Sequence, residues 1–204
     1  MFVIDDDPSI RESLSLLLSS AGYSVKTFAS AIEFLESERR TSDPVCLVLD
    51  VKMPGINGLD LQKELISRDY AIPIIFITGH GDIPMSVQAM KSGAFDFLSK
   101  PFDDNQLLVA VKEALLKDSQ TRADRNEQKQ IMRKLDSLTT RESQTLTYLI
   151  TGMLNKQIAY ELEISERTVK AHRKQVLDKM SANSIAELVR ITLKAGIEPA
   201  DVSS

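Results

Sequence analysis

A doubly wound α/β unit on a five-stranded parallel sheet, followed by a small all-α unit, is what this 204-residue sequence predicts. Three observations carry the prediction. Over residues 1–116, short apolar runs alternate five times with segments of helical period, as a sheet covered by helices on both faces requires. Three of those runs are apolar nearly throughout, which suits parallel strands buried on both sides. Beyond residue 136 the runs stop, and the apolar pattern has helical spacing.

Each element has a local reason. The strand-like runs are "FVI" (2–4), "YSVKTF" (23–28), "VCLVL" (45–49), "PIIFIT" (73–78) and "AFDFL" (94–98). Asp7 before Pro8 reads as the N-cap of the first helix, with proline at its first position. Ile10, Leu14, Leu17 and Leu18 give that helix its apolar stripe, and Leu59, Leu61, Leu65 and Ile66 do the same for the third. Asp60, just inside the third helix, complements its dipole. Asp43, Asp82 and Asp96 read as solvated acids, and Cys46 as a small buried hydrophobe.

From Asp103 a helix starts on Leu107, Leu108, Val111 and Leu115. The following "DSQTRADRNEQKQ" has no apolar stripe and no Gly or Pro, which predicts a polar helix rather than a loose linker. Helical from Asp103 to Asp136, it would run about 50 Å. The expected division is 1–116, a helical linker over 117–135, and a second domain over 136–204. There Thr139 and Glu142 form a capping box for a helix that Gly152 closes. "NKQIAYEL" is a short amphipathic helix, Ser165 caps "ERTVKAHRKQVLDKM", and "SIAELVRITLKAG" makes the last helix, stopped by Gly196.

The net charge of −4 conceals an asymmetry. Residues 1–116 hold 10 Lys and Arg against 17 Asp and Glu, whereas residues 117–204 hold 15 against 12. A cation is the expected partner of the acidic part and a polyanion that of the basic part. No apolar stretch approaches the roughly 20 residues of a membrane span. The start lacks a secretory pattern and a single cysteine builds no disulfide framework, so a cytoplasmic protein is expected.

In sheets of this kind the ligand site lies at the carboxyl ends of the strands. Asp5 and Asp6 follow the first run, and Asp50 follows the third. Three carboxylates in one crevice repel unless they share a cation, and hard oxygen donors suit Mg²⁺ or Mn²⁺. A carboxylate there can be a nucleophile toward a phosphoryl group. That chemistry needs a hydroxyl and a cation for the phosphoryl oxygens, and Thr78 and Lys100 stand at the next two strand ends. The Lys100–Pro101 bond is a candidate for cis, which would turn the lysine inward.

The order of acid pair, Asp, Thr and Lys, each at a strand end, resembles the receiver domain of two-component response regulators, a flavodoxin-like fold. "ITGHGDIPMSVQAMKSGAFDFLSKPF" is particularly similar to the FixJ-type subgroup. The resemblance implies that Asp50 takes a phosphoryl group from a histidine kinase. It further implies that Asp5, Asp6, Asp50 and the Lys52 carbonyl hold the metal. Thr78 and Phe97 match the switch pair, and Lys100 the phosphate-binding lysine. His80 is placed in a loop near the phosphate, where it could tune its lifetime. Only Met1 and Phe2 precede Val3, fewer residues than the family places there, which leaves a short first strand or a start further upstream.

The second domain resembles the NarL/LuxR-type helix-turn-helix over residues 136–196. Its physical pattern stands beside the resemblance: a short helix, a turn and a longer helix with basic residues on one face fit a major groove. Val169, Val176, Leu177 and Met180 face the core, and Lys170, Arg173 and Lys174 the other side. The family match puts Lys170, Ala171 and Lys174 at base-reading positions, since lysine can donate to guanine and a methyl can meet thymine. Arg167, Thr168, His172, Arg173 and Lys156 are assigned to phosphates. Ile185, Leu188, Val189 and Ile191 read as a dimer seam.

The expectation is a phosphorylation-activated transcription regulator. Phosphorylation at Asp50 makes the face around residues 83–98 dimerise, so that paired modules meet paired half-sites and RNA polymerase. Catalysis would be confined to phosphorylation and dephosphorylation of Asp50 itself. A free-standing phosphatase would want a second acid two residues after the nucleophile, and Lys52 stands there. A DNA-binding protein with a decayed receiver is the remaining alternative, and the complete set of strand-end residues counts against it.

Overall fold

The structure, a computed structural model, describes residues 1–37, 43–79 and 83–201. His80 and Asp82 lie outside the described residues. The elements are β1 (Phe2–Ile4), α1 (Pro8–Ser20), β2 (Lys26–Phe28), α2 (Ala31–Glu36), β3 (Leu47–Asp50), α3 (Gly58–Ser67), β4 (Ile74–Thr78), α4 (Ile83–Lys91) and β5 (Asp96–Ser99). They are followed by α5 (Asp104–Asp136), α6 (Thr140–Leu149), α7 (Asn155–Glu161), α8 (Glu166–Met180) and α9 (Ile185–Lys194). The chain forms two compact units, Met1–Arg122 and Ala123–Ser204.

In the first unit all strands are parallel, in the order β2-β1-β3-β4-β5. The pleat sends Phe2, Ile4, Leu47, Leu49 and Phe76 to one core, with Phe34, Leu61 and Leu65. It sends Val3, Val48, Ile75 and Ile77 to the other, with Leu14, Leu18, Leu107 and Val111. Burial on both faces is the reason these strands lack alternation. Except for β1, the strands begin later than the apolar runs do. Val45 and Cys46 are buried but precede the ladder, because side-chain burial and backbone pairing need not start together.

The caps follow the sequence signals. Asp7 accepts from the Ser9 amide at the start of α1, with Pro8 next. Asp60 lies in the first turn of α3 beside Asn57 and Lys63, and Lys63 holds its carboxyl below the usual range. Burial pushes the Cys46 thiol up to about 12, so it is inert packing. Four side chains depart from expectation. Ile66 is exposed, because it falls outside the stripe of Leu61 and Leu65. Asp96 is half-buried and its carboxylate accepts from the Phe97 amide, so it is tied to β5 rather than solvated. Ile185 and Ile191 pack on the second unit's core around Leu188, which consumes most of the apolar surface read as a dimer seam.

The polar stretch after residue 117 is helical, within the 33 residues of α5. Each unit takes part of it. Asp118 is buried in the first unit, where it accepts from the Val45 amide and pairs with Arg122. Ile131 is buried in the second unit with Leu146, Leu149 and Val169. The helix therefore contributes to both cores, which its composition alone did not suggest. In the second unit Thr139 and Glu142 complete their capping box. Lys179 joins them by donating to the Glu142 carboxylate at 2.6 Å, and it lowers that carboxyl below the usual range.

Candidate functional site

The carboxyl ends of β1, β3, β4 and β5 place four side chains around one point. Adjacent parallel pairing sets the positions: Ile4 pairs with Leu49, and Asp50 with Ile77. Asp5 follows β1, Asp50 ends β3, Thr78 ends β4 and Lys100 follows β5. Asp5, Asp50 and Thr78 are 1%, 6% and 1% exposed. The Lys100–Pro101 peptide is cis, as the proline had suggested. The Lys100 ammonium donates to Asp5 Oδ2 at 2.7 Å and to Asp50 Oδ1 at 2.8 Å. The other Asp50 oxygen, Oδ2, accepts from the Lys52 amide at 2.6 Å.

The electrostatics follow from two buried anions sharing one cation. Burial lifts the Asp50 carboxyl above its ordinary value, and the Asp5 charge adds to that; Lys100 and the Lys52 amide restrain the rise. For Lys100, burial alone would lower the ammonium, but its bonds to Asp5 and Asp50 outweigh that and raise it. The lysine is therefore a fixed positive charge beside the carboxylate best placed to react.

Asp6 does not join this cluster. Asp5 is buried against Lys100, whereas Asp6 is exposed at the surface of the site. Among the described residues, no three His, Cys, Asp or Glu side chains gather into a cation-sized cluster. Asp6 instead borders a cleft of about 480 Å³ with Lys52, Met53, Asn57 and Met85. The carboxylates of Asp5, Asp6 and Asp50 are oxygen donors, a chemistry that fits a hard divalent ion. Phe97 is half-buried on β5, its ring 6.4 Å from that of Phe76, two residue pairs behind Thr78.

Two supporting residues escaped the sequence reading. Gly58 opens α3 against the end of β3, and a Cβ there would sit 2.4 Å from the Asp50 carbonyl oxygen. The signal was a glycine directly after the Asn57 cap in "GINGLD". Arg11 donates to the carbonyls of Asp5 and Asp6, and its signal was a cation within α1 close after the acid triplet.

In the second unit, α7 and α8 form the helix-turn-helix. Ser165 caps α8 by accepting from the Thr168 amide, and the two hydroxyls are 2.8 Å apart. Val169, Val176 and Met180 are buried, with Leu177 packed on them. Arg167, Lys170, Ala171 and Lys174 are exposed along one stripe at helical spacing, and Lys156 is exposed on α7. Arg173 and His172 are half-buried instead. Arg173 leans back to Asn155 Oδ1 at 3.4 Å, a tie between the two helices that the sequence did not announce.

A strand-end carboxylate held by a lysine, joined to a helix-turn-helix with a basic face, defines a switch coupled to a nucleic-acid reader. Residues 1–112 match the response regulator receiver domain, and residues 136–192 match the bacterial regulatory proteins of the luxR family. The chain belongs to the response regulators with a receiver and a LuxR-type helix-turn-helix, which regulate transcription. It is 46% identical to the transcriptional regulatory protein FixJ of Azorhizobium caulinodans, over 98% of this chain and 94% of that protein. It is 46% identical to the response regulator TodT of Pseudomonas putida, over 97% of this chain and 88% of TodT. A solved structure of the response regulator StyR superposes with a TM-score of 0.87 at 49% identity, covering 95% of this chain and 97% of that one.

Proposed function

We propose that Asp50 is the phosphoacceptor of a phosphorylation-activated transcription regulator and that a histidine kinase supplies the phosphoryl group. One observation carries the assignment: the Lys100 ammonium, 2.8 Å from Asp50 and 2.7 Å from Asp5, stands where a phosphoryl oxygen on Asp50 would need a positive charge. An Asp50 carboxylate oxygen attacks phosphorus, the bond from phosphorus to the kinase imidazole breaks, and the imidazole leaves. Thr78 supplies a hydroxyl to one phosphoryl oxygen and Lys100 its ammonium to another. Asp5, Asp6, Asp50 and the Lys52 carbonyl would hold Mg²⁺ or Mn²⁺. Bound there, the ion supplies neutralising charge for the phosphoryl oxygens.

When Thr78 moves toward the phosphate, Phe97 fills the space it leaves and the α4–β5 face changes shape. Val87 and Met90, both about half exposed on α4, supply apolar surface for a homodimer there. Two LuxR-type modules then meet double-stranded DNA at paired half-sites, beside RNA polymerase. Lys170, Ala171 and Lys174 read bases, while Arg167, Thr168, His172, Arg173 and Lys156 hold phosphates. We assign the domains to residues 1–116 and 136–204, with 117–135 as the helical linker. No described helix is long and apolar enough to cross a membrane, and the proposed place of action is the cytoplasm.

The test is labelling by acetyl phosphate in Mg²⁺ with DNA binding measured in parallel. Wild type takes up label and binds a paired site more tightly; Asp50→Asn does neither. Uptake by Asp50→Asn at the wild-type rate would overturn the assignment.

A further inference from the structure

We infer that Arg11 is the positioning residue that aims Asp6 at the divalent cation, an inference that rests on the metal reading above. A single nitrogen of its guanidinium, Nη1, donates to the Asp5 carbonyl at 2.8 Å and to the Asp6 carbonyl at 2.9 Å. Those carbonyls belong to the two peptide planes on either side of the Asp6 Cα. A residue whose flanking peptide planes are both pinned has its backbone dihedrals set, and with them the direction of its Cα–Cβ bond. Asp6 needs that help. It is exposed, and among the described residues its carboxylate takes no hydrogen bond, unlike Asp5 with Lys100 and the Asp7 amide.

The surrounding loop is stapled the same way. Asp7 donates its amide to Asp5 Oδ1, Ser9 donates to Asp7 Oδ1, and the Arg11 amide donates to the Asp7 carbonyl. Arg11 extends this net to the peptide on each side of Asp6. Its location argues for a specific task, because a cation in the first turns of a helix faces the unfavourable end of the dipole. A guanidinium near the acid pair would also repel a divalent ion if charge were its whole contribution. Positioning and repulsion thus predict opposite signs, and the sign is measurable.

The experiment titrates the full-length protein with Mn²⁺ and follows free ion by electron paramagnetic resonance, with melting temperature recorded in chelator. Partners that orient metal ligands typically change affinity about 10- to 100-fold. Arg11→Ala is expected to weaken Mn²⁺ binding about 10-fold, with Arg11→Lys recovering most of the loss through one ammonium reaching both carbonyls. The melting temperatures in chelator should stay close, which separates aim from global stability. Unchanged or tighter Mn²⁺ binding by Arg11→Ala overturns the inference. Asp6→Asn tests the underlying reading by itself: if it binds Mn²⁺ as wild type does, the metal assignment fails and the Arg11 inference fails with it.

Discussion

In the receiver, the working groups come from positions as far apart as Asp5 and Lys100, 95 residues, and they meet with two carboxylates buried around one ammonium. In the helix-turn-helix, the proposed contacts come mainly from one 15-residue helix, on which Arg167, Lys170, Ala171 and Lys174 stand in solvent. The first site is held by packing from every side, so a methyl group in the wrong place should damage it. The second is held by a cap and a buried stripe beneath it, so its surface can change without disturbing the scaffold. The difference separates mutations that alter chemistry through the fold from those that alter recognition directly.

The sharpest way to break that contrast is Gly58→Ala. The added Cβ would lie 2.4 Å from the Asp50 carbonyl oxygen and 3.0 Å from the Val51 Cα, backbone atoms that cannot swing aside. Overpacking of this kind costs about 3 kcal/mol, read by urea denaturation, and phosphorylation should fall with it. A next test compares Lys170→Ala with Lys156→Ala in DNA binding. The first should cost about 2 kcal/mol and relax base preference; the second should weaken all sequences alike and reduce the salt slope by about one. Equal losses without a change in preference would remove α8 from the groove. Thr139→Ala, which deletes the cap of α6, should cost about 1 kcal/mol of stability in the second unit and leave phosphoryl uptake unchanged.

The smallest effect expected is on pH dependence. Burial lifts the Asp50 carboxyl above its ordinary value, so the folded chain holds that proton to higher pH than the unfolded chain. Ionised Asp50 therefore opposes folding, and its contribution worsens as pH rises from the ordinary carboxylate value through the lifted one. Asp50→Asn should melt above wild type at about pH 7, with the gap shrinking toward about pH 4. A constant gap across that range would mean that the carboxylate carries no such penalty. Lys100, raised by its two partners, contributes stability that is lost only when alkaline pH passes its folded value.

Much of this was legible because it is local. The parallel strands announced themselves by apolar runs, and Asp7, Thr139 and Ser165 announced helix starts by the side-chain oxygens that cap them. Asp5, Asp50, Thr78 and Lys100 could be listed as strand-end residues before any coordinates. Arg11 and Gly58 could not, since a carbonyl partner or a missing Cβ has meaning only where another segment comes near. The same holds for Arg173, on the basic face by its spacing but tied back to Asn155 of α7.

By itself, the amino-acid order determined which segments become strands, which become helices, and which strand ends carry chemistry, because burial period and capping act within a few residues. The tertiary structure alone decided that Asp5 is buried while Asp6 stays exposed, that Lys100 lies between two carboxylates, and that α5 gives Asp118 to one core and Ile131 to the other. Those outcomes depend on distances between residues remote in sequence, and such distances exist only after the chain has packed.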